Sequence, residues 1–157
     1  MPYYFAYGSN MNPARMAQRG LAVEAAMPGR LEDMVLRFNK RSRHNPRWGC
    51  ANIAWARGNT VEGVLYRLAD PDQIVKMDPF EGAPRYYSRE RFPVITGCGE
   101  VVHAWTYVAN RANIDEGVMP LRWYLGQLLA GREFLSNTYL AMLESVPCLD
   151  EHEQGWG

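Results

Sequence analysis

The chain has 157 residues, equal numbers of basic and acidic residues at 17 each, and 47% hydrophobic content with aromatics at 12%. That length suits one domain able to bury most of its apolar surface, and the composition excludes a disordered chain. The zero formal charge gives no electrostatic pointer to nucleic acid or to a membrane surface, and no segment is apolar for long enough to span a bilayer.

Residues 3–7 open the chain as a strand, because Tyr3-Tyr4-Phe5-Ala6-Tyr7 is an aromatic run and aromatic residues favour pleated backbone. Gly8 permits a tight turn and a close approach of ligand to backbone. Asn12 then reads as a helix N-cap, Pro13 as the first helical position and Gly20 as the stop of a short helix over residues 13–19. A strand, a turn and a helix start expose backbone N–H groups that hold anions. Extended chain follows over residues 21–39, broken by Pro28-Gly29, with a good strand at residues 34–38. A polar, basic loop spans residues 40–48. Residues 51–56 read as a strand, Arg57-Gly58-Asn59 as a turn, and residues 60–68 as an alternating strand with Val61, Gly63 and Leu65 on one face.

Asp70-Pro71 predicts the start of a helix over residues 72–77. Asp78-Pro79-Phe80-Glu81-Gly82-Ala83-Pro84 predicts a loop, since two prolines and a glycine break helices. Strands follow at residues 86–95 and 100–108, joined through Gly97-Cys98-Gly99. Past Pro120 the pattern turns helical, with Trp123, Leu125, Leu128 and Leu129 in phase and Gly131 ending it. Ser136 caps a last helix over residues 139–146, and the tail from Pro147 is acidic and frayed. About six strands without regular helix alternation argue against a doubly wound parallel sheet. The expected fold is α+β: a mixed, strongly curved or barrel-like β-sheet with short helices, built by a single domain over residues 1–157. No basic region precedes the short apolar run at the N-terminus, so no secretory leader is expected and the protein reads as cytoplasmic.

Glu81 is the strongest candidate for chemistry. Beside Phe80 in a proline-flanked segment, its carboxyl is either an exposed loop group or a partly desolvated one lifted toward useful base strength. Glu62, also followed by glycine, competes poorly because it sits in mid-strand. Ser9 lacks the flanking glycines of a nucleophile elbow and offers a hydroxyl and an N–H instead. Tyr86, Tyr87 and Tyr124 are candidate pocket hydroxyls. Cys50, Cys98 and Cys148 are odd in number and widely spaced, which predicts reduced thiols and no zinc site. The histidines lack metal-ligand spacing, and no phosphate-binding glycine loop occurs, so neither metal nor cofactor is expected. Arg37, Lys40, Arg41, Arg43, His44 and Arg47 form either a solvated basic loop or a docking surface for an acidic ligand or carrier-bound substrate. Nucleic acid is not expected of so neutral a chain.

Tyr4-Phe5-Ala6-Tyr7-Gly8-Ser9-Asn10 resembles the signature turn of the gamma-glutamylcyclotransferase family. Asp78-Pro79-Phe80-Glu81-Gly82 resembles the family's Asp-x-x-Glu-Gly segment. Gly49-Cys50-Ala51-Asn52-Ile53 and Val61-Glu62-Gly63-Val64-Leu65-Tyr66 are similar to two of its strands. The resemblance implies that Glu81 is the general acid–base and that Tyr4, Phe5, Ala6, Tyr7, Gly8, Ser9, Asn10, Tyr87 and Tyr124 form the substrate site. Tyr86 and Tyr87 are interchangeable in that reading. It also implies a small gamma-glutamyl amide as substrate, 5-oxoproline and a free amine as products, and no cofactor. A non-catalytic carboxylate-binding protein and a gamma-glutamyl amide hydrolase are the alternatives.

Overall fold

The computed structural model describes residues 2–151; His152 and the rest of the predicted acidic tail lie outside the described residues. The strands are β1 (Tyr3–Ala6), β2 (Val23–Arg41), β3 (Gly49–Leu68), β4 (Tyr87–Thr96) and β5 (Val101–Ala109). They close into a barrel in the order β1-β3-β2-β4-β5. All neighbours are antiparallel except β1 and β5, which meet in parallel at Tyr4 and Trp105, so the sheet is mixed. The helices are α1 (Pro13–Gln18), α2 (Gln73–Glu81), α3 (Arg122–Leu129) and α4 (Asn137–Glu144). The α+β, barrel-like expectation is therefore met. Phe5, Val61, Val64, Leu65, Val94 and Ala104 are buried in its core, and Leu128 and Leu143 bury the inner faces of α3 and α4. Among the described residues no helix is long and apolar enough to cross a membrane.

Three local expectations are corrected, each at a residue that ordinarily breaks an element. Pro28-Gly29 does not interrupt β2. Gly29 pairs with Gly63 on one side and Thr96 on the other, where β2 joins β4. A Cβ there would meet Val94, Leu65 and Phe5 at 3.0–3.3 Å, so the glycine marks a crowded barrel position rather than a strand end. Arg57-Gly58-Asn59 does not separate two strands; residues 51–56 and 60–68 are one strand, which lowers the predicted strand number. The register moves from Glu32 opposite Thr60 to Met34 opposite Trp55, a bulge. Gly58 (φ 85°) and Asp33 (φ 60°) absorb it, and the Gly58 N–H donates to Asp33 Oδ1 at 2.9 Å.

The third correction bears on the site. α2 does not stop at Met77 but continues through Pro79 to Glu81. A proline in the last turn leaves only one upstream carbonyl without its helical donor, which a helix end tolerates. Gly82, at φ 64°, then caps the helix, its N–H reaching the Pro79 carbonyl at 3.2 Å. Glu81 is thus the last residue of a helix, not a member of a loop. Lys40 and Arg41 likewise belong to β2, so the predicted basic loop begins later, at Ser42.

The ends of β1, β2 and β5 and the starts of β3 and β4 lie at one end of the barrel. Lys40 pairs with Cys50 and Tyr87 with Ala109, and the Ala109 N–H donates to Asn52 Oδ1 at 2.9 Å. The candidate site occupies that end.

Candidate active site

The turn after β1 is a 3-10 turn over Ser9–Met11, whose first bond runs from the Met11 N–H to the Gly8 carbonyl at 3.0 Å. The N–H groups of Ser9 and Asn10 precede that bond, so the turn itself does not use them. Gly8 has φ −114°, which any residue adopts; space, not backbone angle, requires glycine there. A Cβ would sit 3.1 Å from Ala51 Cβ and 3.2 Å from Tyr124 Oη.

Asn10 is 2% exposed and its side chain is held on every side. Arg19 Nη1 donates to Asn10 Oδ1 at 3.0 Å, which fixes the amide so that Nδ2 faces the Tyr4 hydroxyl at 2.9 Å and Glu81 Oε1 at 3.1 Å. The Tyr66 hydroxyl donates to the Asn10 carbonyl at 2.6 Å. The turn and Glu81, 71 residues apart in sequence, are therefore in direct contact.

Glu81 has only 17% of its side chain exposed. Burial lifts its carboxyl above the ordinary range, and the positive charges of Arg19, Lys40, Arg15 and Arg43 oppose that lift. Arg19 Nη1 stands 3.9 Å from Glu81 Oε1 and its guanidinium covers the Phe80 ring at 5.0 Å. Asp78 anchors the same helix end: the Tyr107 hydroxyl donates to its Oδ1 at 2.7 Å and Arg89 Nε lies 3.1 Å away. Of the two sequence readings of Glu81, the structure contradicts the exposed loop carboxylate.

Glu81 faces a cleft of about 290 Å³ and, beneath it, a smaller chamber of about 30 Å³; Ser9, Tyr87 and Tyr124 border both. Tyr4, Tyr7, Gly8 and Asn10 line the inner chamber. The Tyr87 hydroxyl donates to the Ala51 carbonyl at 2.7 Å, the Ala51 N–H donates to Tyr124 Oη at 2.9 Å, and the Tyr7 hydroxyl donates to the Tyr107 carbonyl. Burial raises all three phenols far above their usual pKa, so they stay neutral.

Of the residues singled out from sequence, the structure gathers Tyr4, Tyr7, Gly8, Ser9, Asn10, Glu81, Tyr87 and Tyr124. Phe5 and Ala6 lie apart from both cavities; Phe5 is fully buried against the backbone of Gly29 and Gly63. Tyr86 also lies off the cleft, under Lys40, Arg43 and Arg85. Glu62 accepts from the Ser136 hydroxyl (2.6 Å) and N–H (2.8 Å), fastening the start of α4 to the barrel. The cysteines are free thiols, and burial pushes the Cys50 thiol up to about 11.

Sequence reading missed two cations of the cleft, Arg15 and Arg19. The anion-attracting feature of α1 is not its N-terminus, where Asn12 Oδ1 already accepts from the Ala14 N–H at 3.1 Å. It is Arg15 and Arg19, four residues apart and hence on one helix face. Arg15 donates to the Ser9 hydroxyl at 3.1 Å, and burial lowers its pKa to about 10. The i, i+4 spacing was the available signal. The basic loop also divides. Arg41 is tied to the Ala112 and Ile114 carbonyls, and Arg47 pairs with Glu151 at 2.6 Å, whereas Lys40 and Arg43 turn into the cleft. Residues 40–47 thus divide between surface partners and the cleft.

Residues 4–125 match the family described as Gamma-glutamyl cyclotransferase, AIG2-like. A Gamma-glutamylcyclotransferase of Mus musculus is 35% identical over 82 residues, which span 50% of this chain and 43% of that protein, less than half its length. Two solved structures share the fold. One is named Gamma-glutamyl cyclotransferase (TM-score 0.82, 23% identity, 98% of this chain and 92% of that chain). The other is an uncharacterized protein from Homo sapiens (TM-score 0.82, 24% identity, 97% and 91%).

Proposed function

The chain belongs to the gamma-glutamyl cyclotransferase, AIG2-like family, and from that premise we propose that it cleaves a small gamma-glutamyl amide into 5-oxoproline and a free amine. The alpha-amine of the glutamyl group attacks the gamma-carbonyl carbon. A C–N bond closes the five-membered ring, the original amide C–N bond breaks, and the departing nitrogen takes a proton. Atoms balance without water.

A free alpha-amine has a pKa of about 8 and is mostly protonated at neutral pH, while an ordinary Glu carboxyl near 4.3 is a weak base for it. Burial that raises Glu81 narrows this gap. Glu81 takes the ammonium proton, then returns it to the leaving nitrogen. Asn10 Nδ2, at 3.1 Å from Oε1, holds the carboxylate in place between the two transfers. The Gly8-Ser9-Asn10 turn supplies N–H donors for the glutamyl carboxylate, the developing oxyanion, or both. Neutral phenols of Tyr7, Tyr87 and Tyr124 wall the chamber without adding charge.

The observation that carries the reading is the contact of Asn10 with Glu81, which unites the two sequence segments bearing the family resemblance in one buried site. Incubation with a panel of gamma-glutamyl amides, analysed by mass spectrometry, tests it. The expected product is 5-oxoproline with one equivalent of amine. Free glutamate identifies a hydrolase, and binding without turnover identifies a carboxylate-binding protein; either overturns the proposal.

A further inference from the structure

Lys40 sits at the end of β2 with 3% of its surface exposed. Its Nζ lies over two aromatic faces, 5.2 Å from the Tyr86 ring centre and 5.1 Å from that of Tyr87. Among the described residues it makes no hydrogen bond or ion pair to an oxygen. Burying an ammonium without an oxygen partner is costly, and aromatic faces offset only part of the cost. Burial accordingly lowers the Lys40 pKa, although nearby Cys50 and Glu81 oppose that.

Its neighbours in the cleft are donors too. Ser42 is buried; its hydroxyl oxygen accepts from the His44 N–H at 3.1 Å, and its own proton has no protein acceptor among the described residues. Arg43 uses one amino group on the Phe80 carbonyl at 3.2 Å and lies at the mouth over the Tyr86 ring. Across the cleft stand Arg15 and Arg19. Among the described residues lining this space Glu81 is the only acidic side chain, and the wall formed by Lys40 and Arg43 alone brings two positive charges. A gamma-glutamyl amide of a neutral amine does not change that balance, because its alpha-carboxylate and alpha-ammonium cancel. A single carboxylate on the amine matches only one of those two charges. A phosphate monoester carries close to two negative charges above its second pKa of about 6, with several acceptor oxygens for donors converging from different directions.

We infer that Lys40, with Ser42 and Arg43, is a specificity-determining subsite for a doubly charged anionic group, of the phosphate monoester class, carried by the amine that leaves. The inference rests on the cyclotransferase reading and names its substrate class. In it Lys40 grips a part of the substrate that does not react, and Glu81 alone moves protons.

The test compares two substrates that differ only in the anion: the gamma-glutamyl amides of ethanolamine and of O-phosphoethanolamine, at pH 8. The wild type is expected to favour the phosphorylated substrate in kcat/KM by about ten- to a hundredfold, mainly through KM, as befits a charge-assisted contact. Lys40→Met keeps the apolar stem, and in it the preference collapses to near one; Lys40→Arg restores most of it. No preference in the wild type, or one that survives in Lys40→Met, overturns the inference. So does an equal loss on both substrates in Lys40→Met, the signature of a merely structural lysine. Turnover of both substrates without preference sinks this subsite and leaves the cyclotransferase reading standing. If neither substrate yields 5-oxoproline, that reading fails, and calorimetric titration decides the subsite alone. O-phosphoethanolamine that binds the wild type, while ethanolamine does not, and that Lys40→Met loses, upholds it. Equal or absent binding of the two overturns it.

Discussion

In the proposed reaction Glu81 carries the heaviest chemical demand, and its surroundings set testable limits on it. Glu81→Gln preserves shape and the Asn10 contact but removes the base, so kcat should fall by about two to four orders of magnitude with binding largely kept. Because burial raises the Glu81 pKa, the acid limb of the pH–kcat/KM profile should lie above the ordinary Glu value of about 4.3 and vanish in the variant. The same shift has a consequence for stability. A carboxyl whose folded pKa exceeds its unfolded value favours folding while protonated, and that contribution is lost as pH rises through the folded pKa. The melting temperature of Glu81→Gln minus that of wild type should therefore grow from the ordinary carboxylate range upward. A difference that is flat or falls with pH contradicts a desolvated Glu81. Gly8 offers a second residue-level test. Gly8→Val forces branched atoms toward Ala51 and Tyr124, already 3.1 and 3.2 Å from a Cβ position. Calorimetry with 5-oxoproline should show strongly weakened binding in a folded variant.

The helix that delivers Glu81 ends on a glycine for a definite reason. Gly82 is left-handed at φ 64°, and a Cβ there would come within 2.5 Å of Tyr86 Cδ2. Gly82→Ala should cost about 1–2 kcal/mol from backbone conformation alone, readable by urea denaturation. It should also lower kcat, because the last turn of α2 must shift to release the clash. Pro79, Gly58 and Pro28 are breakers by local rules, and each predicts an element end. Each instead sits where tertiary structure needs an irregularity: a helix end, a bulge and a crowded barrel position. Strand type and approximate position were legible because alternation and aromatic content report on a pleated, half-buried surface. The burial of Lys40 was not, since nothing in a run of basic residues shows which of them a strand carries into a cleft and which, like Arg47, remain outside on a surface partner.

Barrel closure explains why residues so far apart meet. β1 is short, and its neighbour β3 approaches it so closely at Gly63 that a Cβ would strike the Ala6 carbonyl. Gly63→Ala should therefore separate β1 from β3, cost about 3 kcal/mol or more, and displace the Gly8-Ser9-Asn10 turn from Glu81. Urea denaturation and activity should fall together in that variant. The α+β class and the curved mixed sheet were legible from the order of the elements, and the two segments of the candidate site from their residue types together with their family resemblance. The pairing order was not, because local patterns do not encode which strands close a barrel. In the proposed reaction the substrate's own amine, not water, attacks the gamma-carbonyl. Turnover in water enriched in oxygen-18 tests it most directly. The expected product is 5-oxoproline free of label, formed in one-to-one ratio with the amine and about two to four orders of magnitude more slowly by Glu81→Gln. Glutamate bearing the heavy isotope in its gamma-carboxyl would contradict the account.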